Sequence, residues 1–284
     1  MPQRSCNQRK LEDSLKMITN CPGCLVPKSG IGIKTRTGHL DSCKNCGTLW
    51  RESGAEFLEY GQEYFKNRGH EGENPVMRKS KIATFDYFYR QANIPPGSKV
   101  LEVGCATGWG LVAGRELGYR MRGLDVAEES RQYAIQRGFQ PETVVKSLAE
   151  LANERFSLVA FFDALEHIPE PENFLKELSR HLNPGAKLLV VIPRADTASR
   201  KILGKLWPHY LADHWVHFSR QGLASLMNRA GFAPERYFFP VKWITPFTMA
   251  THFSLHSGYE IPVPPWPMFP LNFGEDGAVF CAGC

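Results

Sequence analysis

The stretch Lys99-Val100-Leu101-Glu102-Val103-Gly104-Cys105-Ala106-Thr107-Gly108-Trp109-Gly110 decides how this chain folds. It opens as a short β-rich run, KVLEVG (99–104), breaks into a glycine loop, and continues as a helix in GCATGWGLVAGRELG (104–118). Outward from it the same rhythm repeats. YRMRGLDV (119–126) reads as a second strand, AEESRQYAIQRG (127–138) as a helix and PETVVKS (141–147) as a third strand. FSLVAFFDALEHI (156–168) holds a fourth strand, PENFLKELSRHLNPG (171–185) a helix stopped by Pro-Gly, and AKLLVVIPR (186–194) a fifth strand. A helix at HFSRQGLASLMNRAGF (217–232) and strands near RYFF (236–239) and GAVFCAG (277–283) complete the series. Strands alternating with helices at this spacing specify an α/β fold, a parallel sheet covered on both faces.

Upstream, KSKIATFDYFYRQANI (79–94) has helical spacing of Ile82, Phe85, Phe88 and Tyr89, and Pro95-Pro96-Gly97 stops it. The first fifty residues stand apart. The chain has 284 residues and net charge +5, and the eight basic and three acidic residues of positions 1–50 account for that whole excess. Five of the eight cysteines, Cys6, Cys21, Cys24, Cys43 and Cys46, also lie there. C-P-G-C (21–24) and C-K-N-C-G (43–47) form two Cys-x2-Cys knuckles. Such a pair is the ligand set of a zinc ribbon, because each knuckle brings two thiolates to one tetrahedral ion. Two disulfides or an iron–sulfur centre would use the same four residues. The first would need an oxidising compartment. With all four positions filled, the ion is expected to be structural, stabilising a segment too short to fold by apolar burial alone.

The remaining composition excludes other classes. Apolar runs such as Leu158–Phe162 are far shorter than the ~20 residues of a membrane span. The N-terminal MPQRSCNQRKLEDSLKM has no apolar signal region, so a cytoplasmic protein is expected. ITPFTMATHFSLHSGYEIPVPPWPMFPLNF (244–273) is Pro- and aromatic-rich and reads as a covering loop that could wall an acceptor pocket.

In open α/β sheets ligands bind at the carboxyl ends of the strands. Gly104 and Gly108 let the backbone approach such a ligand, and Asp125, closing the second strand, can take two ribose hydroxyls. G-C-A-T-G-W-G misses the dinucleotide register G-x-G-x-x-G. E-V-G-C-A-T-G instead resembles the first motif of class I S-adenosylmethionine-dependent methyltransferases. LDVAEES (124–130), the segment 156–193 and DHWVHFSRQGLASLMNRAGF (213–232) also resemble that family, in order and spacing. The cysteine knuckles followed by YGQEYF (60–65) are similar to a subgroup with a zinc ribbon ahead of the catalytic domain, which methylates sugars, polysaccharides or natural products.

The resemblance implies a Rossmann-like seven-stranded sheet, organised as a zinc ribbon (1–50), a helical connector and cofactor lid (51–97) and a catalytic domain (98–284). It implies that Glu102, Gly104, Cys105, Ala106 and Gly108 hold the methionine part of S-adenosylmethionine and that Asp125 holds the ribose. Val126 would lie beside the adenine, Ser147 and Leu148 at its edge, and Asp163 and Ala164 at the methionine end. Cys105 is expected to pack rather than react, since no basic residue adjoins it. Tyr60, Tyr64 and Phe65 would fold over the cofactor. Glu166 and His167, following the fourth strand, are the first candidates for a general base; His214, His217 and Tyr64 are others. Some relatives bind Mg²⁺ with Glu166 and His167, for which the sequence offers no third ligand. The expected partner is a small-molecule methyl acceptor. An RNA acceptor gripped by the basic ribbon is a competing reading, weakened by Asp163-Ala164-Leu165-Glu166 standing where amine-methylating RNA enzymes carry an Asn-Pro-Pro-Tyr-like motif. A non-catalytic, cofactor-binding adaptor is a third.

Overall fold

The computed structural model describes residues 19–28, 30, 32–35, 37–51, 75–246, 268–272 and 274–283. Tyr60, Tyr64, Phe65 and most of the Pro-rich segment lie outside the described residues.

Three short strands, β1 (Ile33–Thr35), β2 (Gly38–Ser42) and β3 (Leu49–Trp50), carry the cysteine segment. Helix α1 (Pro75–Arg90) leads to β4 (Lys99–Val103), the run that opened the sequence analysis. There follow α2 (Trp109–Glu116), β5 (Arg120–Leu124), α3 (Glu128–Gln136), β6 (Val144–Val145), β7 (Phe156–Phe162), α4 (Pro171–Leu178) and β8 (Leu182–Pro193). Then come α5 (Ala198–Leu203), β9 (Val216–His217), α6 (Arg220–Arg229), β10 (Phe232–Phe238), β11 (Lys242–Ile244), β12 (Phe269–Leu271) and β13 (Glu275–Ala282).

The main sheet has seven strands in the order β10-β13-β8-β7-β4-β5-β6. The pairs β4–β5, β4–β7, β5–β6 and β7–β8 are parallel, while β13 runs antiparallel to both β8 and β10. The chain leaves β4 to one side for β5 and β6 and to the other for β7 and β8. The gap between the carboxyl ends of β4 and β7 is therefore the topological switch point, where such sheets bind ligands.

Burial on both faces explains the unbroken apolar runs. Leu101, Val103, Val159, Phe161, Leu188 and Val190 face one core with Leu175, Leu178, Leu223 and Leu226 of α4 and α6. Their neighbours Val100, Leu158, Ala160, Phe162, Leu189 and Val191 face the other, with Phe88 and Tyr89 of α1.

Several expected boundaries shift. The third strand shrinks to Val144–Val145, because Pro141–Thr143 coils into a 3₁₀ turn. The helix of 171–185 ends at Leu178, and β8 already begins at Leu182. Its register slips between Phe156 and Leu158, so a bulge absorbs Asn183-Pro184-Gly185. The helix of 217–232 is trimmed to α6, started by the Ser219 hydroxyl accepting from the Gly222 amide at 2.9 Å.

The cysteine segment is joined to the catalytic sheet's flank. Its sheet runs β1-β2-β3-β9, so its fourth strand comes from residues 216–217. Cys21, Cys43, Cys46 and Trp50 belong to the same core as β7 and α6. A Cβ on Gly222 would lie 2.0 Å from Thr48 Oγ1, so only glycine lets α6 meet the second knuckle. Arg51 closes the seam. Its guanidinium donates to the carbonyls of His214 (3.1 Å), Leu211 (2.9 Å) and Thr37 (2.9 Å) and to Thr37 Oγ1 (2.9 Å). Arg51→Met would leave those carbonyls without a donor; it is expected to cost about 3 kcal/mol in urea unfolding, whereas a loss within the error of the measurement would contradict a clamp at this position.

Candidate functional site: the carboxyl edge of the sheet

Gly104 leaves β4 with φ +71, and a Cβ there would sit 2.7 Å from Ala164 Cβ. Its amide donates to Leu124 O at 2.7 Å, which ties the loop to the end of β5. Ala106 (φ 44) and Gly108 (φ 74) are left-handed as well, so the loop curls into an open cradle before α2. Asp125 stands across from it. Its Oδ2 accepts from the Ala106 amide at 2.8 Å and its Oδ1 from the Ala127 amide at 3.0 Å. Burial raises the Asp125 carboxyl above its ordinary range, and these two amides oppose that shift. Each oxygen keeps a lone pair for a hydroxyl. Beside it Val126 is 64% exposed, an apolar side chain open where a flat purine would cover it.

Leu148 is buried, and the Ser147 hydroxyl donates to Glu150 Oε1 at 3.2 Å. Cys105 is buried against Leu111, Ala134 and Val144, so it offers a ligand its backbone and not its thiol. Glu102 is buried below the loop, where Tyr89 Oη donates to Oε2 at 3.0 Å. Burial pushes its carboxyl up to about 8. These features fit the ribose and adenine of S-adenosylmethionine at Asp125 and Val126, and its methionine part along residues 104–108.

The other half of the site follows β7. Asp163 has φ +50 and pairs with Lys242 Nζ at 2.5 Å; the same ammonium meets Glu275 Oε1 at 2.6 Å. Burial pulls Lys242 down, but Asp163 and Glu275 together hold it above its ordinary value. Glu166 is 1% exposed and neither carboxylate oxygen has a hydrogen-bond partner among the described residues. Burial, then Asp163, pushes it well above the carboxylate range. His167 Nδ1 lies 3.0 Å from Asp213 O and 3.6 Å from Asp213 Oδ2. Facing a carbonyl, Nδ1 donates and Nε2 carries the lone pair. The rings of His167 and His214 meet edge-on with centroids 4.6 Å apart. The ligand atoms of Glu166, His167 and His214 lie within 4.8 Å of one another. His214 is thus the third group that the sequence could not name.

His217 is the correction among the histidines. It is fully buried, its Nε2 donates to His209 O at 2.9 Å, and burial lowers its pKa to about 3. It seals the seam beside Trp207 and Tyr210 rather than facing an acceptor. Tyr64 lies outside the described residues. Lys242, Glu275, Asp213 and Arg51 were missed by sequence reasoning; only Asp213 carried a signal, standing in the quoted segment 213–232.

The four ribbon cysteines form no disulfide. Cys21 Sγ and Cys46 Sγ are 3.5 Å apart, as are Cys24 Sγ and Cys43 Sγ. A tetrahedral zinc at ~2.3 Å from each sulfur would set them about 3.8 Å apart. The cluster fits a small zinc ribbon.

A switch-point glycine loop, an acid ending the second strand and seven strands with an antiparallel hairpin define a class I S-adenosylmethionine-dependent methyltransferase. Residues 78–236 match the family model described as "Methyltransferase domain", and the chain belongs to that family. It is 26% identical over 244 residues to the 2-methyl-6-phytyl-1,4-hydroquinone methyltransferase of Synechocystis sp., covering 78% of this chain and 75% of the relative. It is 32% identical over 130 residues to the ubiquinone biosynthesis O-methyltransferase of Idiomarina loihiensis, covering 42% of this chain but only 51% of that enzyme. A chain from the complex between the Haloferax volcanii Trm112 methyltransferase activator and its methyltransferase shares the fold with TM-score 0.55 at 18% identity, over 76% of this chain and 96% of that one. The cyclase SpnF shares it too, with TM-score 0.51 at 18% identity, over 71% of this chain and 81% of that one. Fold alone therefore does not decide the reaction.

The buried acid Glu102, pushed up to about 8, is protonated more readily when folded than when unfolded. Its stabilising effect is complete below the ordinary carboxylate range and is lost as pH rises through about 8. Glu102→Gln is expected to flatten this decline in the ligand-free protein by about 2 kcal/mol between pH 6 and 8 in urea unfolding; an unchanged slope would mean that Glu102 is ionised in the fold.

Proposed function

We propose that the chain transfers the methyl group of S-adenosylmethionine to a small hydroxylated acceptor, a sugar, a natural-product intermediate or a hydroquinone-like ring. The cofactor supplies a methyl group already activated by its sulfonium charge, so the protein has chiefly to align the acceptor and remove its proton. The observation that carries this reading is the convergence of Glu166, His167 and His214 beside Ala164, across the switch point from the glycine loop. His167 is the base: its Nδ1 donates to Asp213 O, which puts the lone pair on Nε2, the atom that takes the acceptor proton as the oxygen attacks. The Asp213 carboxylate, 3.6 Å from Nδ1, favours the cationic imidazolium that forms. Lys242, held between Asp163 and Glu275, fixes the residue that borders the methionine end. The two quinone-pathway relatives named above support a small ring acceptor. A cytoplasmic placement goes with this reading, and Zn²⁺ is assigned to the ribbon as a structural ion.

A second reading is favoured by the third ligand. One carboxylate and two imidazoles suit a divalent transition metal better than Mg²⁺, which prefers oxygen ligands and its own waters. Such an ion would bind the acceptor oxygen and replace His167 as the means of deprotonation.

Calorimetry with S-adenosylhomocysteine is expected to show a loss of about tenfold or more for Asp125→Ala, while unchanged affinity would refute the cofactor assignment. His167→Asn should keep that affinity and lose about a hundredfold in methyl transfer to a hydroxylated acceptor pool; retained transfer would remove it as the base. Metal analysis of protein purified without chelator is expected to give about one zinc per chain. Two bound metals would favour the second reading, and none would refute the ribbon.

A further inference from the structure

The connection between β8 and β9 leaves the sheet at its carboxyl edge and carries an unabsorbed surface. Residues 201–206, Lys-Ile-Leu-Gly-Lys-Leu, are all exposed. Ile202 is 82% exposed, Leu206 73% and Leu203 44%, so three large apolar side chains face solvent within five positions. Isolated exposed leucines are ordinary, but a contiguous group of them signals contact with something apolar. The segment is firmly mounted. Thr197 caps α5 by accepting from the Arg200 amide, and Trp207 and Tyr210 are buried with Leu40, Leu49 and Ala195 in one cluster shared with the ribbon.

The charge within the segment itself has one sign. From residue 197 to 212 the sequence holds Arg200, Lys201 and Lys205 and no acid. Strand β1, which carries the exposed Lys34, packs beside the turn Gly204–Leu206. Among the described residues of the ribbon, Lys34 and Lys44 are exposed. We propose that residues 198–206, with the adjoining Lys34 of β1, dock onto an anionic lipid bilayer. Aliphatic side chains flanked by lysines match an interface in which the apolar groups enter the acyl boundary and the ammonium groups meet anionic headgroups. An RNA surface would be expected to present stacking aromatics, and the exposed residues here are aliphatic.

The consequence deepens the proposed reaction and rests on that reading. Residues 207–217 join the docking surface to Asp213 and His214 along the chain, and a bilayer location favours an acceptor with an apolar tail.

The test is co-sedimentation of the full chain with phosphatidylcholine vesicles with and without 30% phosphatidylglycerol, set beside S-adenosylhomocysteine calorimetry. The wild type is expected to sediment with the anionic vesicles only. Ile202→Asp/Leu206→Asp and Lys201→Gln/Lys205→Gln should each weaken this about tenfold or more at unchanged S-adenosylhomocysteine affinity. No sedimentation of the wild type, or equal sedimentation of the aspartate variant, overturns the proposal. So does a wild-type dimer that the aspartate variant converts to monomer, which would assign the surface to a second copy. So does tight binding of an oligoribonucleotide that only the glutamine variant loses. Lost vesicle binding with intact S-adenosylhomocysteine binding fails this inference alone, whereas a wild type that does not bind S-adenosylhomocysteine fails the methyl-transfer reading.

Discussion

The contact between Gly104 and Ala164 is the constraint on which the chemistry of this molecule depends. Strands β4 and β7 are neighbours, and their ends turn away from each other at the switch point. The turn after β4 must be left-handed to form the cradle, and it must pass so close to Ala164 that no Cβ fits. The same contact sets the start of the 163–168 turn, which delivers Glu166 and His167. The cofactor loop and the acceptor-side turn are therefore positioned by one another. A single methyl group added at residue 104 would disturb both.

The second organising feature is a seam. The ribbon, small and rich in cysteine, shares a core with the catalytic sheet and takes its last strand from residues 216–217. Arg51 hydrogen-bonds the 211–215 loop, and that loop presents Asp213 to His167 and donates the Trp215 amide to Glu166 O at 2.9 Å. A chain of hydrogen bonds thus runs from the ribbon to the proposed base. The acids Glu102, Glu166 and Glu275 are all buried near the carboxyl edge of the sheet. Burial-shifted carboxyls of this kind cluster at functional sites, though structural networks shift them too.

How much of this could be read from the sequence follows from how local each feature is. The strands at 99–103, 156–162 and 186–193 were legible because burial on both faces leaves an apolar run. The cradle was legible because positive φ selects glycine at 104 and 108, and the thiolate cluster because Cys-x2-Cys spacing is itself the geometry. The third strand was legible in place but not in length, since Pro141–Thr143 coils into a 3₁₀ turn and leaves only the apolar pair Val144–Val145. Lys242 escaped because its partner Asp163 is 79 residues away and lies on a different element. His214 and His217 look equivalent in sequence, spaced as neighbours on one segment. Only the pairing of β9 with β3 turns His217 into the seam and leaves His214 beside His167.

The most direct test is an experimental structure of the full chain with S-adenosylhomocysteine. The account predicts both ribose hydroxyls within hydrogen-bond distance of the Asp125 carboxylate, the adenine over Val126, and the thioether sulfur pointing across the switch point toward the Glu166–His167 turn. A ligand bound elsewhere, or one whose sulfur faces away from His167 with its ribose off Asp125, would contradict it.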